Sequence, residues 1–289
     1  MDAASSLMTS IDSLHASVMR RFDLTGRVVV VTGGAGLLGR KHAEAIAEAG
    51  GLPVLADIRG DDASAAAEAI AWKTGSSTGA LEMDVSDKDS VTAALEQLLE
   101  RHGRVHALIN NAALNPKVDG KGLAPSRFET FSVEAWQREI DVGLTGAFLC
   151  AQVFGGHMAE AGEGVIVNVA SDLGLIAPDQ RIYRQPGLRE HEQPTKPVTY
   201  SVIKGGLLML TKYLATYWAT SGVRVNAICP GGVYAGQSDD FVGRLTEHIP
   251  LGRMAEPDEY KAALVFLCSD ASSYMTGANL VIDGGRTCW

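Results

Sequence analysis

The chain has 289 residues, 46% hydrophobic and 20% charged, a globular balance that excludes global disorder. Lys+Arg 25 against Asp+Glu 34 leaves a formal charge of −9, which argues against a nucleic-acid partner or an anionic membrane, since both need a basic face. Four cysteines without a CxxC spacing, no basic leader ahead of an apolar run, and no stretch of about 18 apolar residues point to a reduced, cytoplasmic protein without disulfide scaffold, metal site or membrane span.

Residues 1–22 read as a separate N-terminal extension. Leu7, Ile11, Leu14, Val18 and Phe22 recur every three or four positions, the stripe of an amphipathic helix that packs on the body or on a neighbouring subunit. From Arg27 onward, short β-branched runs alternate with helical patterns. Val28–Thr32 is apolar up to its last residue, as a strand covered on both faces must be. The pattern then predicts helix Gly36–Ala49, strand Pro53–Asp57, helix Ala63–Thr74, strand Ala80–Asp84, helix Ser86–Arg101 and strand Ala107–Asn110. Helix Val133–Phe154, strand Val165–Val169, helix Thr199–Thr220, strand Arg224–Ile228, helix Pro257–Cys268 and strand Asn279–Asp283 complete it. Such alternation requires right-handed crossovers. It implies one α/β domain over 23–289, a single Rossmann-type, doubly wound parallel sheet of seven strands with helices on both faces.

Thr32-Gly33-Gly34-Ala35-Gly36-Leu37-Leu38-Gly39 follows the first strand and opens the first helix. Glycines there let backbone N–H groups close on a pyrophosphate, with the helix N-terminus facing the anion. Asp57 ends the second strand, about 20 residues on, where a carboxylate takes the ribose hydroxyls. The same carboxylate repels a 2′-phosphate and so favours NAD over NADP, with neighbouring Arg59 arguing the other way.

Tyr200 and Lys204 stand at i, i+4 on one helical face, where an ammonium lowers a phenol's pKa and makes it a usable general acid or base. Ser171 ends the fifth strand, Asn110-Asn111-Ala112-Ala113 the fourth and Pro230-Gly231 the sixth. Ligands bind at strand carboxyl ends in such sheets. With these residues the chain resembles the short-chain dehydrogenase/reductase family over about residues 24–289. The resemblance implies that Ser171 polarises the substrate carbonyl or hydroxyl, Tyr200 transfers the proton, and Lys204 lowers the Tyr200 pKa and holds the nicotinamide ribose. It further implies that Gly33, Gly36, Leu38 and Gly39 form the phosphate turn, with Asp57 and Ile58 beside the ribose. Asp84 and Val85 would flank the adenine, Asn111 would sit by the adenosine ribose, and Gly231 and Val233 would border the nicotinamide. Thr276-Gly277 and Asp283-Gly284-Gly285 match the compact branch of the family.

Three features depart from that branch. The glycine spacing at 33, 36 and 39 looks like the extended, nucleotide-sugar branch, although too little chain follows Lys204 for that branch's substrate domain. Gly143 stands where the family has a helix asparagine, and a glycine leaves room for a water there. Leu175–Val198 is inserted after the fifth strand and carries Arg181, Arg184, Arg189 and Lys196, a set suited to a phosphate or carboxylate, or else to a solvated or intersubunit loop. With the stretches 143–150 and 212–219, this insertion resembles a subgroup found with bacterial surface-sugar and flagellin-glycan genes. The reading is an NAD(P)-dependent oxidoreductase interconverting a secondary alcohol and a ketone on a sugar or other polar, anionic substrate. The alternatives are a sugar epimerase or dehydratase that retains NAD, and a non-catalytic dinucleotide-binding regulator. Phe148, Val153, Leu208, Leu210 and Leu214 give two helices apolar residues on more than one face, which calls for a homo-oligomer, tetramer or dimer.

Overall fold

The computed structural model describes residues 18–114 and 126–289. Strands β1 (Val28–Thr32), β2 (Leu52–Asp57), β3 (Gly79–Glu82), β4 (Ala107–Asn110), β5 (Gly164–Val169), β6 (Val223–Pro230) and β7 (Asn279–Ile282) form one sheet. Every pairing is parallel, and the order is β3-β2-β1-β4-β5-β6-β7. The chain runs outward from β1 to β3, then returns to the other side of β1 as β4. That reversal opens a crevice at the carboxyl ends of β1 and β4, the usual ligand position in an open α/β sheet.

The helices are α1 (Leu37–Glu48), α2 (Gly60–Thr74), α3 (Lys88–His102), α4 (Val133–Glu160), α5 (Val198–Tyr217), α6 (Asp239–Thr246) and α7 (Lys261–Cys268). Successive strand residues point to opposite faces. Val29, Val31 and Ile109 pack with Ile46 of α1 and Leu264 of α7. Val30, Leu108 and Ile166 pack with Leu98 of α3 and with Phe154 and Met158 of α4. Two apolar faces explain why β1, β4 and β5 read as continuous apolar runs.

Three elements differ from the sequence expectation. Helix α4 continues past Phe154 and contains two wide π-turns, at Asp141–Thr145 and Ala151–Gly155. By length and composition it is apolar enough to cross a membrane, contrary to the expectation of no such stretch. Its Cys150, Ala151, Phe154 and Met158 are nevertheless buried on the sheet, as in the core helix of a folded domain. Helix α6 falls between the expected strand Arg224–Ile228 and helix Pro257–Cys268, where no element is expected. Its Ser238 cap accepts from Phe241 N, and Asp239 and Asp240 complement the helix dipole. Of the N-terminal stripe, Leu7, Ile11 and Leu14 lie outside the described residues. Val18 is exposed, while the Phe22 ring lies 6.4 Å from that of Phe266.

Glu44 fixes α1, the helix that follows the glycine turn. Its buried carboxylate accepts from Lys73 of α2 and, at 2.8 Å, from Lys261 of α7. Burial pushes this carboxyl up, but the hydrogen bonds from Lys261 and Lys73 and the charges of Lys261 and Lys41 override it and hold the group at about 2. A depressed carboxyl stabilises the fold above its ordinary range and loses that contribution as pH falls through about 2. Replacing Glu44 with Gln should therefore cost up to about 3 kcal/mol at neutral pH. The deficit should shrink as pH falls from 4.5 toward about 2. Denaturant titrations across pH check this; a deficit independent of pH would show that packing, not charge, holds the site.

Candidate active site

The glycine turn is built as its composition requires. Gly33 has φ +60°, and at Gly39 an added Cβ would lie 2.2 Å from the Gly33 carbonyl oxygen. The start of α1 is thus as close to the turn as only glycine permits. Thr32 Oγ accepts from Asn111 N and Ala112 N, both at 3.0 Å, which joins the ends of β1 and β4. Asn111 Nδ2 donates to the Thr32 and Gly33 carbonyls at 2.9 and 3.1 Å, so this residue braces the turn itself. At the end of β2, buried Asp57 accepts from Ala35 N and Arg59 N, both at 3.1 Å. The Arg59 guanidinium lies 3.0 Å from Asp62 and 3.8 Å from Asp57.

The other expected cofactor positions follow the same edge. Leu38 is half-buried in the first turn of α1, and Ile58 is exposed just after β2. Asp84 Oδ1 accepts from Ser86 N and Oγ, and Val85 packs where Gly146 of α4 lacks a side chain. Gly231 N donates to Ile282 O, and Val233 bridges to Ala255. The chain fits a dinucleotide: a backbone turn that a Cβ would fill, a helix N-terminus behind it, and a carboxylate at the end of the second strand.

Ser171, Tyr200 and Lys204 converge at the end of β5. The Ser171 hydroxyl stands beside the Tyr200 phenol. Lys204 Nζ donates to Val169 O at 2.6 Å and lies 5.8 Å from the Tyr200 ring centroid. A buried polar chain holds α5 in this register. Asn110 Nδ2 donates to Asn168 Oδ1 at 2.9 Å, Asn168 Nδ2 to Thr211 Oγ at 2.8 Å, and Thr211 Oγ to Leu207 O at 2.8 Å. At the start of the helix, the Thr199 hydroxyl donates to buried Glu139 of α4.

Two buried residues absent from the sequence expectation complete the cluster. Ser171 Oγ donates to Asp172 Oδ1 at 2.7 Å, and Arg286 Nη1 donates to Asp172 Oδ2 at 2.7 Å. Burial raises the Tyr200 phenol, the neighbouring Ser171 hydroxyl lowers it, Asp172 raises it and Arg286 lowers it. Burial, with the nearby charge of Lys196, brings Lys204 down to about 8.

The insertion divides its basic residues. Arg181 pairs with Asp179, Arg184 with Glu190 and Arg189 with Glu192, all within the segment. Lys196 alone of the four reaches the cluster, its Nζ 3.8 Å from the Tyr200 ring centroid. Ile182 is buried with Leu245, Ile249 and Met254, and the Tyr183 ring lies 5.7 Å from Phe241, so the insertion docks on α6.

Comparison with known proteins agrees with this geometry. The family model described as short chain dehydrogenase matches residues 27–183, and one described as enoyl-(acyl carrier protein) reductase matches residues 189–287. The chain is a short-chain dehydrogenase/reductase. This dehydrogenase is 36% identical over 274 residues to the D-threitol dehydrogenase of Mycolicibacterium smegmatis, covering 92% of this chain and 95% of that one. It is 34% identical to the NAD-dependent glycerol dehydrogenase of Listeria innocua, covering 92% and 96%. A crystal structure of a gluconate 5-dehydrogenase from Burkholderia cenocepacia, in complex with NADP and tartrate, superposes with a TM-score of 0.81 at 28% identity, covering 94% of this chain and 99% of that one. The enzyme is accordingly an oxidoreductase of the kind that interconverts alcohols and ketones.

Gly143 corrects the expectation of room for a water. It sits in the first π-turn of α4, and a Cβ there would lie 2.8 Å from Ile203 Cγ2 and 3.1 Å from Ile203 Cδ1. Ile203, the neighbour of Lys204, fills that space. Gly143→Asn should destabilise the enzyme by about 1–3 kcal/mol through overpacking. Adding Ile203→Ala to it should recover part of that loss in thermal unfolding. A single variant with wild-type stability would mean that Ile203 yields freely.

Proposed function

We propose that this dehydrogenase uses NAD to interconvert a secondary alcohol and a ketone on a polyol, sugar or hydroxy acid, with Tyr200 as general acid/base. The observation that carries the reading is the contact of Ser171 with Tyr200, and of Lys204 with the end of β5, at the same sheet edge as the glycine turn. A bound nicotinamide supplies hydride transfer. In oxidation, the Tyr200 phenolate takes the alcohol proton while Ser171 orients the substrate oxygen. The Lys204 charge favours phenolate over phenol and offers its N–H groups to ribose hydroxyls. Gly33, Gly36, Leu38 and Gly39 hold the pyrophosphate from the turn and first helix. Asp57 and Ile58 hold the ribose, Asp84, Val85 and Asn111 border the adenosine, and Gly231 and Val233 the nicotinamide.

NAD is preferred because a second carboxylate, Asp62, engages Arg59 beside Asp57, which leaves this corner acidic toward a 2′-phosphate. A polar, anionic substrate is supported by Lys196 on the Tyr200 ring and by the gluconate enzyme among the similar structures. The narrower likeness of 143–150 and 212–219 to surface-sugar enzymes agrees with a sugar-derived substrate. Free, mostly buried cysteines suit a cytoplasmic setting.

Initial rates with NAD and NADP on threitol, glycerol and gluconate test this reading. Tyr200→Phe and Lys204→Met should each abolish turnover. Asp57→Ala should narrow the preference for NAD. Equal wild-type efficiency with both cofactors would refute the preference, full activity of Tyr200→Phe would refute the acid–base assignment, and tightly held cofactor without net turnover would indicate an epimerase.

The enzyme is further proposed to be a homo-oligomer, a tetramer or dimer, through α4 and α5. Leu208 and Leu214, counted on for that face, are covered within the chain, but Phe148, Val202, Met209, Tyr213 and Tyr217 are exposed along these helices. Exposed apolar area of this kind marks an interface. Sedimentation at micromolar concentration should give an oligomer; a monomer would overturn the reading.

A further inference from the structure

Arg286 lies far along the chain from the catalytic cluster, yet its side chain is only 6% exposed and that of its partner Asp172 only 3%. A buried charge pair is costly to desolvate and adds little net stability compared with an apolar pair, so its presence at this position calls for another role. Its geometry supplies one. Asp172 uses Oδ2 for Arg286, at 2.7 Å, and Oδ1 for both Ser171 Oγ, at 2.7 Å, and Leu173 N, at 2.8 Å. A carboxylate accepts only, so the Ser171 hydrogen points to Asp172, and Ser171 Oγ itself accepts from Leu173 N at 3.2 Å, which leaves one Ser171 lone pair toward the site.

We infer that Asp172 and Arg286 are positioning residues: the pair fixes the Ser171 hydroxyl through Asp172 and balances the charge at the Tyr200 phenol. Asp172 disfavours the phenolate and Arg286 favours it, so in the intact pair one charge opposes the other. The inference rests on Tyr200 as the proton-transfer group. Other groups face this region. On α5 and just ahead of it stand Lys204 and Lys196, both brought down to about 8 chiefly by burial. Tyr183 of the insertion, pushed up to about 12 by burial, feels Tyr200, Asp172 and Arg286. Cys229 of β6 faces Asp172 and Lys204, and Glu139 of α4 faces Lys196. Tyr183, Lys196 and Cys229 also feel Asp172, so the Tyr200 signal has to be isolated from theirs.

The experiment titrates Tyr200 by ultraviolet difference absorbance, each protein minus its own Tyr200→Phe form, and follows threitol oxidation with NAD across pH. Asp172→Asn removes a negative charge and keeps an oxygen that accepts from Ser171, so the tyrosinate midpoint and the rising limb of the rate should move to lower pH. Arg286→Gln leaves Asp172 unbalanced and should move both to higher pH. At a pH on the rising limb the two variants should differ by about tenfold, one pH unit of separation. Arg286→Lys keeps the charge and should stay near wild type. The double variant, with no charge on either side, should return toward wild type. A purely structural pair would lower stability in every variant without opposite shifts, so shifts of one sign or no shift overturn the inference. If Arg286→Gln does not fold, Asp172→Asn, Arg286→Lys and the double variant carry the same test. Full turnover by Tyr200→Phe would instead defeat the underlying acid–base reading, and the absorbance titration would still judge the pair.

Discussion

Helix α5 has to lie in one register over β5, and a line of buried side-chain hydrogen bonds enforces it. Asn110, Asn168 and Thr211 run from β4 through β5 to the helix. A slide of one residue would rotate the helix by about 100° and swing Tyr200 and Lys204 away from Ser171. It would also strand buried amide groups at about 1–3 kcal/mol each. An apolar contact alone tolerates such a slip; a buried carboxamide does not. Lys204 bonded to Val169 O and Thr199 bonded to Glu139 secure the same helix near its first turns. The polar core of this sheet is therefore a locating device for the chemistry at its edge.

The cluster gathers opposing charges in a protein that is acidic overall. Lys196 and Lys204 stand near the ring of the half-buried Tyr200 phenol, and Arg286 pairs with Asp172 beside it. Burial drives each lysine toward its neutral form and the phenol toward its protonated form, while attractions between them pull the other way. Groups tied together in this manner titrate as a set, and the pH response belongs to the set rather than to one residue. The insertion contributes by delivering Lys196, while its three arginines pair with acids of the same segment.

Much of this was legible in the sequence for identifiable reasons. β1 and β4 begin and end where the apolar runs do, because both faces are covered. Tyr200 and Lys204 declare themselves by helical spacing, and Ser171 by its place after a strand. Helix α6 escaped because its eight residues are too short for a periodic signal, although Ser238-Asp239-Asp240 was a readable cap. Asp172 and Arg286 escaped because their bond spans 114 positions and no local pattern encodes it. Ile203 beside Gly143 escaped for the same reason: a missing side chain on one helix is filled from another.

The two wide turns of α4 explain why its apolar residues seemed to occupy several faces at once. Each π-turn takes in one residue beyond the ordinary repeat and so advances the phase of everything after it by about 100°. The helix is three short helices on one axis, each with its own heading. Residues before Asp141, between the turns, and after Gly155 are therefore to be plotted on separate wheels. Removing one residue at either turn would not merely shorten the helix. It would restore ordinary winding there and reorient the downstream part, carrying Met158 off the sheet in both cases and Phe154 as well when the cut falls at the first turn. Length variation in this helix is thus constrained in angle far more tightly than in distance.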